Sequence, residues 1–174
     1  MRLLLQSGIL GLCLWAGMAG AGQVSIGFEG PHEGPAPQEM QEDGYRIVTR
    51  NAMISTAEKS GDGTDGPTEI EGAMGRRSGI AILRDAPFTF VSLDWQSESG
   101  APAVVVEGYL GDLLVAGARF VADPAQPGFK RFEAGALSGQ VIDRLILYPQ
   151  RDGAGMGALD RVILEDAPEM PETS

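Results

Sequence analysis

The chain has 174 residues, room for one domain, and sets 13 Lys and Arg against 24 Asp and Glu, a formal charge of −11. No basic surplus exists to neutralise phosphate, which excludes an electrostatic nucleic-acid binder and argues against docking on anionic lipid. A single Cys (Cys13) and a single His (His32) exclude a Cys/His zinc cluster, a disulfide framework and most nucleophile–histidine machinery.

The first segment reads as an address. Arg2 supplies a positive start, Leu3 to Ala16 is largely apolar, and Ala19-Gly20-Ala21 matches the small-x-small pattern of signal-peptide cleavage. The apolar run is short and broken by glycine, so the mature chain is expected to begin near Gly22 and to contain no membrane span. Cys13 falls inside this leader and is preceded by Leu12, not by the small residue that a lipidated cysteine needs. A cysteine-free exported chain suits a bacterial periplasmic or extracellular protein, held together by packing or by a metal. After the leader, 12 basic residues face 24 acidic ones.

Residues 22–165 then read as one domain of short strands. The candidates are Val24–Phe28, Tyr45–Ser55, Thr68–Ala73, Gly79–Arg84, Phe88–Gln96, Ala103–Leu110, Leu113–Val121, Phe129–Ala134, Ile142–Tyr148 and Leu159–Glu165. Each is rich in β-branched or aromatic residues and bounded by Gly, Pro or Asp. No window carries a long apolar stripe of period 3.6, so helix is expected to be scarce, with one short helical turn at Gln38–Glu42. The prediction is an all-β, antiparallel two-sheet sandwich or jelly roll of nine or ten strands. Gly111-Asp112 between two strands predicts a type II′ hairpin. Along Phe88–Trp95 simple alternation puts Phe88 and Phe90 on one face and Val91, Leu93 and Trp95 on the other. Both faces are then apolar, and the strand belongs in the middle of a sheet. Phe90, Leu93, Val106, Leu145 and Leu147 are expected in one core. Pro31–Gly44, Thr56–Pro67 and an acidic tail at 166–174 are expected to be mobile or disordered.

Some of these strands resemble a known group. Phe88-Thr89-Phe90-Val91-Ser92-Leu93-Asp94, Val104-Val105-Val106-Glu107-Gly108-Tyr109, Ile142-Asp143-Arg144-Leu145-Ile146-Leu147 and Ala158-Leu159-Asp160-Arg161-Val162 are similar to segments of small exported bacterial β-sandwiches of the galactose-binding-like, carbohydrate-binding-module-like jelly-roll type. The first strand ending in Phe28-Glu29 and the last containing Leu159-Asp160 fit the same pattern. The resemblance implies that first and last strands lie side by side with a structural calcium near their ends, for which Glu29 and Asp160 are the candidate ligands. Ca²⁺ takes six to eight oxygens, so two carboxylates with backbone carbonyls suit it; the alternative is a pair of ordinary strand-end carboxylates.

The candidate ligand-binding residues are the strand aromatics Trp95, Tyr109 and Tyr148, set against the alternative that each belongs to the core. Asp62-Gly-Thr-Asp65-Gly66 lacks the spacing of a calcium loop, and His32, in a polar loop, has no visible orienting partner. No carboxylate pair is set apart for hydrolysis, so a hydrolase ranks last. The expectation is a non-catalytic exported module that binds a carbohydrate or another extracellular or envelope partner. The rival is a structural envelope protein with no small-ligand site. Solvent-facing aromatics on a sheet face or loop cleft would favour the first, and an aromatic-free surface the second.

Overall fold

The computed structural model describes residues 22–29, 33–56, 68–72, 78–97, 103–123, 125, 128–150 and 157–168. The leader at 1–21 and most of Thr56–Pro67 lie outside the described residues. Twelve strands run in order: β1 (Gln23–Ile26), β2 (Gly34–Pro35), β3 (Glu39–Glu42), β4 (Tyr45–Arg50), β5 (Ala52–Thr56), β6 (Thr68–Gly72), β7 (Gly79–Gln96), β8 (Ala103–Leu110), β9 (Leu113–Val121), β10 (Lys130–Glu133), β11 (Ile142–Pro149) and β12 (Ala158–Asp166). A 3-10 turn at Gly135–Leu137 is the only helical element among the described residues.

Every ladder is antiparallel, and β7 takes part in two sets of them. Its first half pairs with β4 and β11, giving a front sheet of order β3-β4-β7-β11-β8-β9. Its second half pairs with β10 and β12, giving a back sheet in which β12 is flanked by β7 on one side and by β1 and β6 on the other. β5 and β2 extend the back sheet beyond β6. The two halves fold face to face as the expected β-sandwich.

The chain changes sheets in two ways. Between β4 and β5 it turns at Asn51, whose φ of 49° is left-handed, a conformation that Asn tolerates better than most residues. The run Tyr45–Ser55 is therefore two strands. At Arg84–Pro87 the opposite correction holds: Gly79–Arg84 and Phe88–Gln96 form one long strand that passes through the corner. Pro87, lacking an N–H, sits where no ladder partner is needed. Arg84 braces this corner. Its Nε donates to the Ala86 carbonyl at 2.9 Å, one terminal nitrogen to the Pro87 carbonyl at 2.9 Å and the other to Asp166 at 2.7 Å. The guanidinium also lies 4.8 Å from the Tyr45 ring centre.

Ile47, Ile82, Val106, Leu145 and Leu147 from the front sheet meet Phe90, Leu93, Val162 and Leu164 from the back in one buried cluster. The five residues assigned to a shared core from sequence are all in it. Ring contacts tie the sheets together, Tyr45 to Phe88 at 5.2 Å and Phe120 to Phe132 at 5.2 Å.

Simple alternation fails along the second half of β7. Leu164 pairs with Phe90 but Ile163 pairs with Ser92, so Val91 is an extra residue. This bulge reverses the phase, and Phe88, Phe90, Leu93 and Trp95 all turn inward. A matching bulge on β12, between Leu159 and Arg161, singles out Asp160. The Gln38–Glu42 segment is strand β3 and not a helical turn, and with β2 it gives strand structure to the described part of Pro31–Gly44. The last strand runs to Asp166, past the boundary expected at 165.

Candidate functional site

Alternation along the front sheet sends one set of side chains inward and leaves the other on the outer face. On β8 the outward residues are Val105, Glu107 and Tyr109, and on β11 they are Arg144, Ile146 and Tyr148. The register sets Arg144 beside Tyr109, Ile146 beside Glu107 and Tyr148 beside Val105. Tyr109 thus stands two residues from Glu107 on the same strand and Tyr148 on the diagonal across β11, both within reach of its side chain.

Both hydroxyls donate to that carboxylate. Tyr109 reaches Glu107 Oε2 at 2.8 Å and Tyr148 reaches Oε1 at 2.9 Å. The bond to Glu107 raises the Tyr109 hydroxyl above its ordinary range, with burial and the nearby negative charge adding in the same direction. Both rings are half-buried, each keeping a share of its surface in solvent. The Arg144 guanidinium lies 4.8 Å from the Tyr109 ring centre and donates to the Gly111 carbonyl at 2.9 Å. The Gly111 N–H in turn donates to Asp143 at 2.7 Å, which fixes the β8–β9 turn to β11. Gly111 has φ 58°, as the first position of a type II′ turn requires.

Two hollows lie on this face. The larger, about 690 Å³, is bordered by Arg46, Leu83, Asp112, Asp143 and Arg144. The smaller, about 370 Å³, lies between β4, the start of β7 and the end of β11, with Arg50, Ser78, Gly79, Ala81, Ile146 and Tyr148 in its lining. Gly79 and Ala81 keep its floor low. The Ser78 hydroxyl is buried and has no hydrogen-bond partner among the described residues.

Of the three aromatics singled out by sequence, the structure brings Tyr109 and Tyr148 together and sends Trp95 elsewhere. Trp95 is fully buried on the opposite side of the core, 6.0 Å from the Phe132 ring, and offers no face to a ligand. The Val91 bulge and the shared core face with Leu93 are the cause. Glu107, which joins the two tyrosines, was not singled out by sequence.

The calcium candidates fall at the ends of β1 and β12, which do pair, with Ile26 opposite Val162. Asp160 is fully buried in its bulge, whereas Glu29 is exposed beyond a reversal at Phe28, where φ is 61°. A third carboxylate, Glu42 of β3, comes to the same chain reversal. Its Oε1 accepts the Gly27 N–H at 2.7 Å, and its Oε2 is buried without a partner among the described residues. Burial, and then the charges of Asp43 and Glu29, push the Glu42 carboxyl above the usual range, against the opposing pull of the Gly27 and Phe28 amides. Among the described residues no three His, Cys, Asp or Glu side chains are gathered closely enough to hold a metal ion.

The outer face of the back sheet is organised differently. Asp94 of β7 is buried between Arg131 of β10 and Arg161 of β12. Arg131 donates to both carboxylate oxygens at 2.9 Å, and Arg161 donates Nε at 2.8 Å together with a terminal nitrogen. Burial alone would raise the Asp94 carboxyl, but the hydrogen bonds and charges of the two arginines outweigh it and hold the group below its ordinary range.

Among the described residues no helix is long and apolar enough to cross a membrane. No family model and no curated protein matches the chain. Among solved structures, the chain is similar to a family 35 carbohydrate-binding module from Clostridium thermocellum, at 12% identity over 68% of this chain and 90% of that one, with a TM-score of 0.47. It is similar to CBM29_1, a family 29 carbohydrate-binding module from Piromyces equi, at 10% identity over 89% and 96% of the two chains, TM-score 0.47. A further neighbour is TmCBM61 in complex with β-1,4-galactotriose, at 8% identity over 71% and 90%, TM-score 0.41.

Proposed function

We propose that this chain is a non-catalytic exported module that binds carbohydrate on the outer face of its front sheet. The observation that carries this reading is the Tyr109–Glu107–Tyr148 cluster. It places two half-buried aromatic rings on an open sheet surface and locks each by its hydroxyl, so that little rotamer freedom remains to be lost on binding. An aromatic face offers a flat apolar surface to a sugar ring, Arg144 covering one face of Tyr109, and Glu107 supplies acceptor lone pairs beside the rings. The hollows on either side give a ligand room to lie along the face. Tyrosine rings on a solvent-facing sheet favour this reading over a structural envelope protein.

Export is supported by the Met1–Ala21 pattern, and the exported protein is expected to start near Gly22. N-terminal sequencing that finds Met1 retained in a membrane fraction would exclude this. A structural calcium held by Glu29 and Asp160 belongs to the same proposal; the pairing of β1 with β12 and the full burial of Asp160 support it, with carbonyls making up the remaining ligands. Calcium at one hundred times its dissociation constant should add about 2.7 kcal/mol to stability. The same melting temperature in excess EDTA and in millimolar calcium would remove the metal from the proposal.

The carbohydrate reading is tested on a glycan array, followed by titration of the best ligand into Tyr109→Ala and Tyr148→Ala. Each variant is expected to lose about tenfold or more in affinity, as the removal of one aromatic contact worth 1–3 kcal/mol would give. Wild-type binding unaffected by both substitutions would place the site elsewhere.

A further inference from the structure

Away from its turn end, the outer face of the front sheet carries charge of the opposite sign to that of the chain. The protein carries −11 overall, yet the outward positions of its paired rows hold Arg46, Arg50, Arg144 and Arg119 against Glu39 and Glu107, while Asp85, Asp112 and Asp143 gather at the turn end around the larger hollow. The two acids are already engaged, Glu39 with Arg46 at 3.5 Å and Glu107 with the two tyrosines. Arg144 is held on the Gly111 carbonyl. Arg50 and Arg119 remain, exposed, with no ion pair or hydrogen bond among the described residues.

These two arginines belong to one row. Arg50 pairs with Gly79 across β4 and β7, Tyr148 with Val105 across β11 and β8, and Val105 with Arg119 across β8 and β9. Leu147 opposite Ile80 sets Tyr148 beside Gly79 and completes the row. Four steps between strands separate the arginines, about 19 Å at roughly 4.8 Å per step. Tyr148 stands between them and borders the smaller hollow with Arg50 and Ser78. No acidic side chain is in the lining of that hollow, and the buried Ser78 hydroxyl has no other hydrogen-bond partner among the described residues.

We infer that the front sheet binds an acidic polysaccharide whose repeating carboxylates sit on Arg50 and Arg119, with an intervening sugar ring against Tyr148 and Ser78. The inference rests on the carbohydrate reading above and narrows it to polyuronates. Each guanidinium matches a carboxylate in a planar, two-pronged contact. A chain of evenly spaced carboxylates reaches both arginines at once, which a free monosaccharide does not. Long-range repulsion from an acidic protein makes this the face on which such a polymer can settle.

Affinity electrophoresis of the full chain tests it, in native gels containing polygalacturonate, its fully methyl-esterified form, dextran sulfate or duplex DNA. Polygalacturonate is expected to retard the protein and the neutral ester to bind about ten- to a hundredfold more weakly, the cost of removing a charged hydrogen-bond partner. Arg50→Ala and Arg119→Ala should each lower the polygalacturonate affinity about tenfold, with Arg50→Lys in between because it keeps charge and loses the fork. Equal binding of the acid and ester forms, or arginine variants that bind like wild type, would overturn the inference and leave the carbohydrate reading standing. Dextran sulfate or DNA bound as tightly as polygalacturonate would also overturn it, marking a general anion patch. Retardation by none of these polymers would overturn the inference, and the glycan array would then decide the carbohydrate reading by itself.

Discussion

The two outer faces of the sandwich are built from the same residue types and use them in opposite ways. On the back sheet a carboxylate is the scarce group: Asp94 is 7% exposed and two arginines converge on it. On the front sheet the carboxylate of Glu107 is taken by two tyrosine hydroxyls, and it is the arginines at the margins that are left over. An arginine saturated by a buried acid is part of the scaffold. An exposed arginine without such a partner on a tyrosine-bearing face is available to a ligand. Partner supply, not composition, separates the two faces.

The largest effect should come from the core that both faces cover. Leu145→Ala, beneath the front sheet, is expected to cost about 2–5 kcal/mol in urea unfolding. A loss below about 0.5 kcal/mol would mean that the front sheet does not rest on this core. Asp94→Asn comes next. Breaking a fully buried pair costs about 3–5 kcal/mol, and the half-exposed Arg131 reduces this to about 2–3 kcal/mol. A change within experimental error would make the back face as replaceable as the front.

Acid sharpens the same contrast. Because the folded-state Asp94 is held below its ordinary range, its contribution is complete above the unfolded value of about 4 and is lost as pH falls through the folded value. Unfolding midpoints measured from pH 6 down to pH 2 should fall in wild type, and part of that fall should be missing in Asp94→Asn. The smallest effect belongs to the front face: Arg50→Ala should move stability by no more than about 0.5 kcal/mol, as for an exposed residue with no partner. A loss of 2 kcal/mol there would show that Arg50 is scaffold after all.

The strands most legible in the sequence were those whose residues state their environment. Ala103–Leu110 and Leu113–Val121 have the expected boundaries, since strong β-formers flank a Gly-Asp turn. β3 was hidden because Glu39-Met-Gln-Glu42 has little strand propensity; what makes it a strand is its neighbour β4. A signal was nevertheless present in Asp43-Gly44, whose φ values of 48° and 82° are those of a type I′ hairpin. The bulges at Val91 and Asp160 carry no glycine and left no mark in the sequence. They decide which way Trp95 and Asp160 face. For the site, Glu107 and Tyr109 are two apart on one strand, so their shared face was readable. Tyr148 joins them only through the β8–β11 register, which nothing local determines.

The position of β12 has a further consequence, in time and not in space. It is the last strand among the described residues, yet it lies inside the back sheet, between β7 and the pair β1 and β6, and Gln23 waits for Glu165. The back sheet cannot close until Glu165, 142 residues after Gln23, has been synthesised, and contacts of such long sequence separation form slowly. A chain threaded through a membrane must cross it unfolded, so for an exported protein this lateness would keep the nascent polypeptide open until its destination is reached.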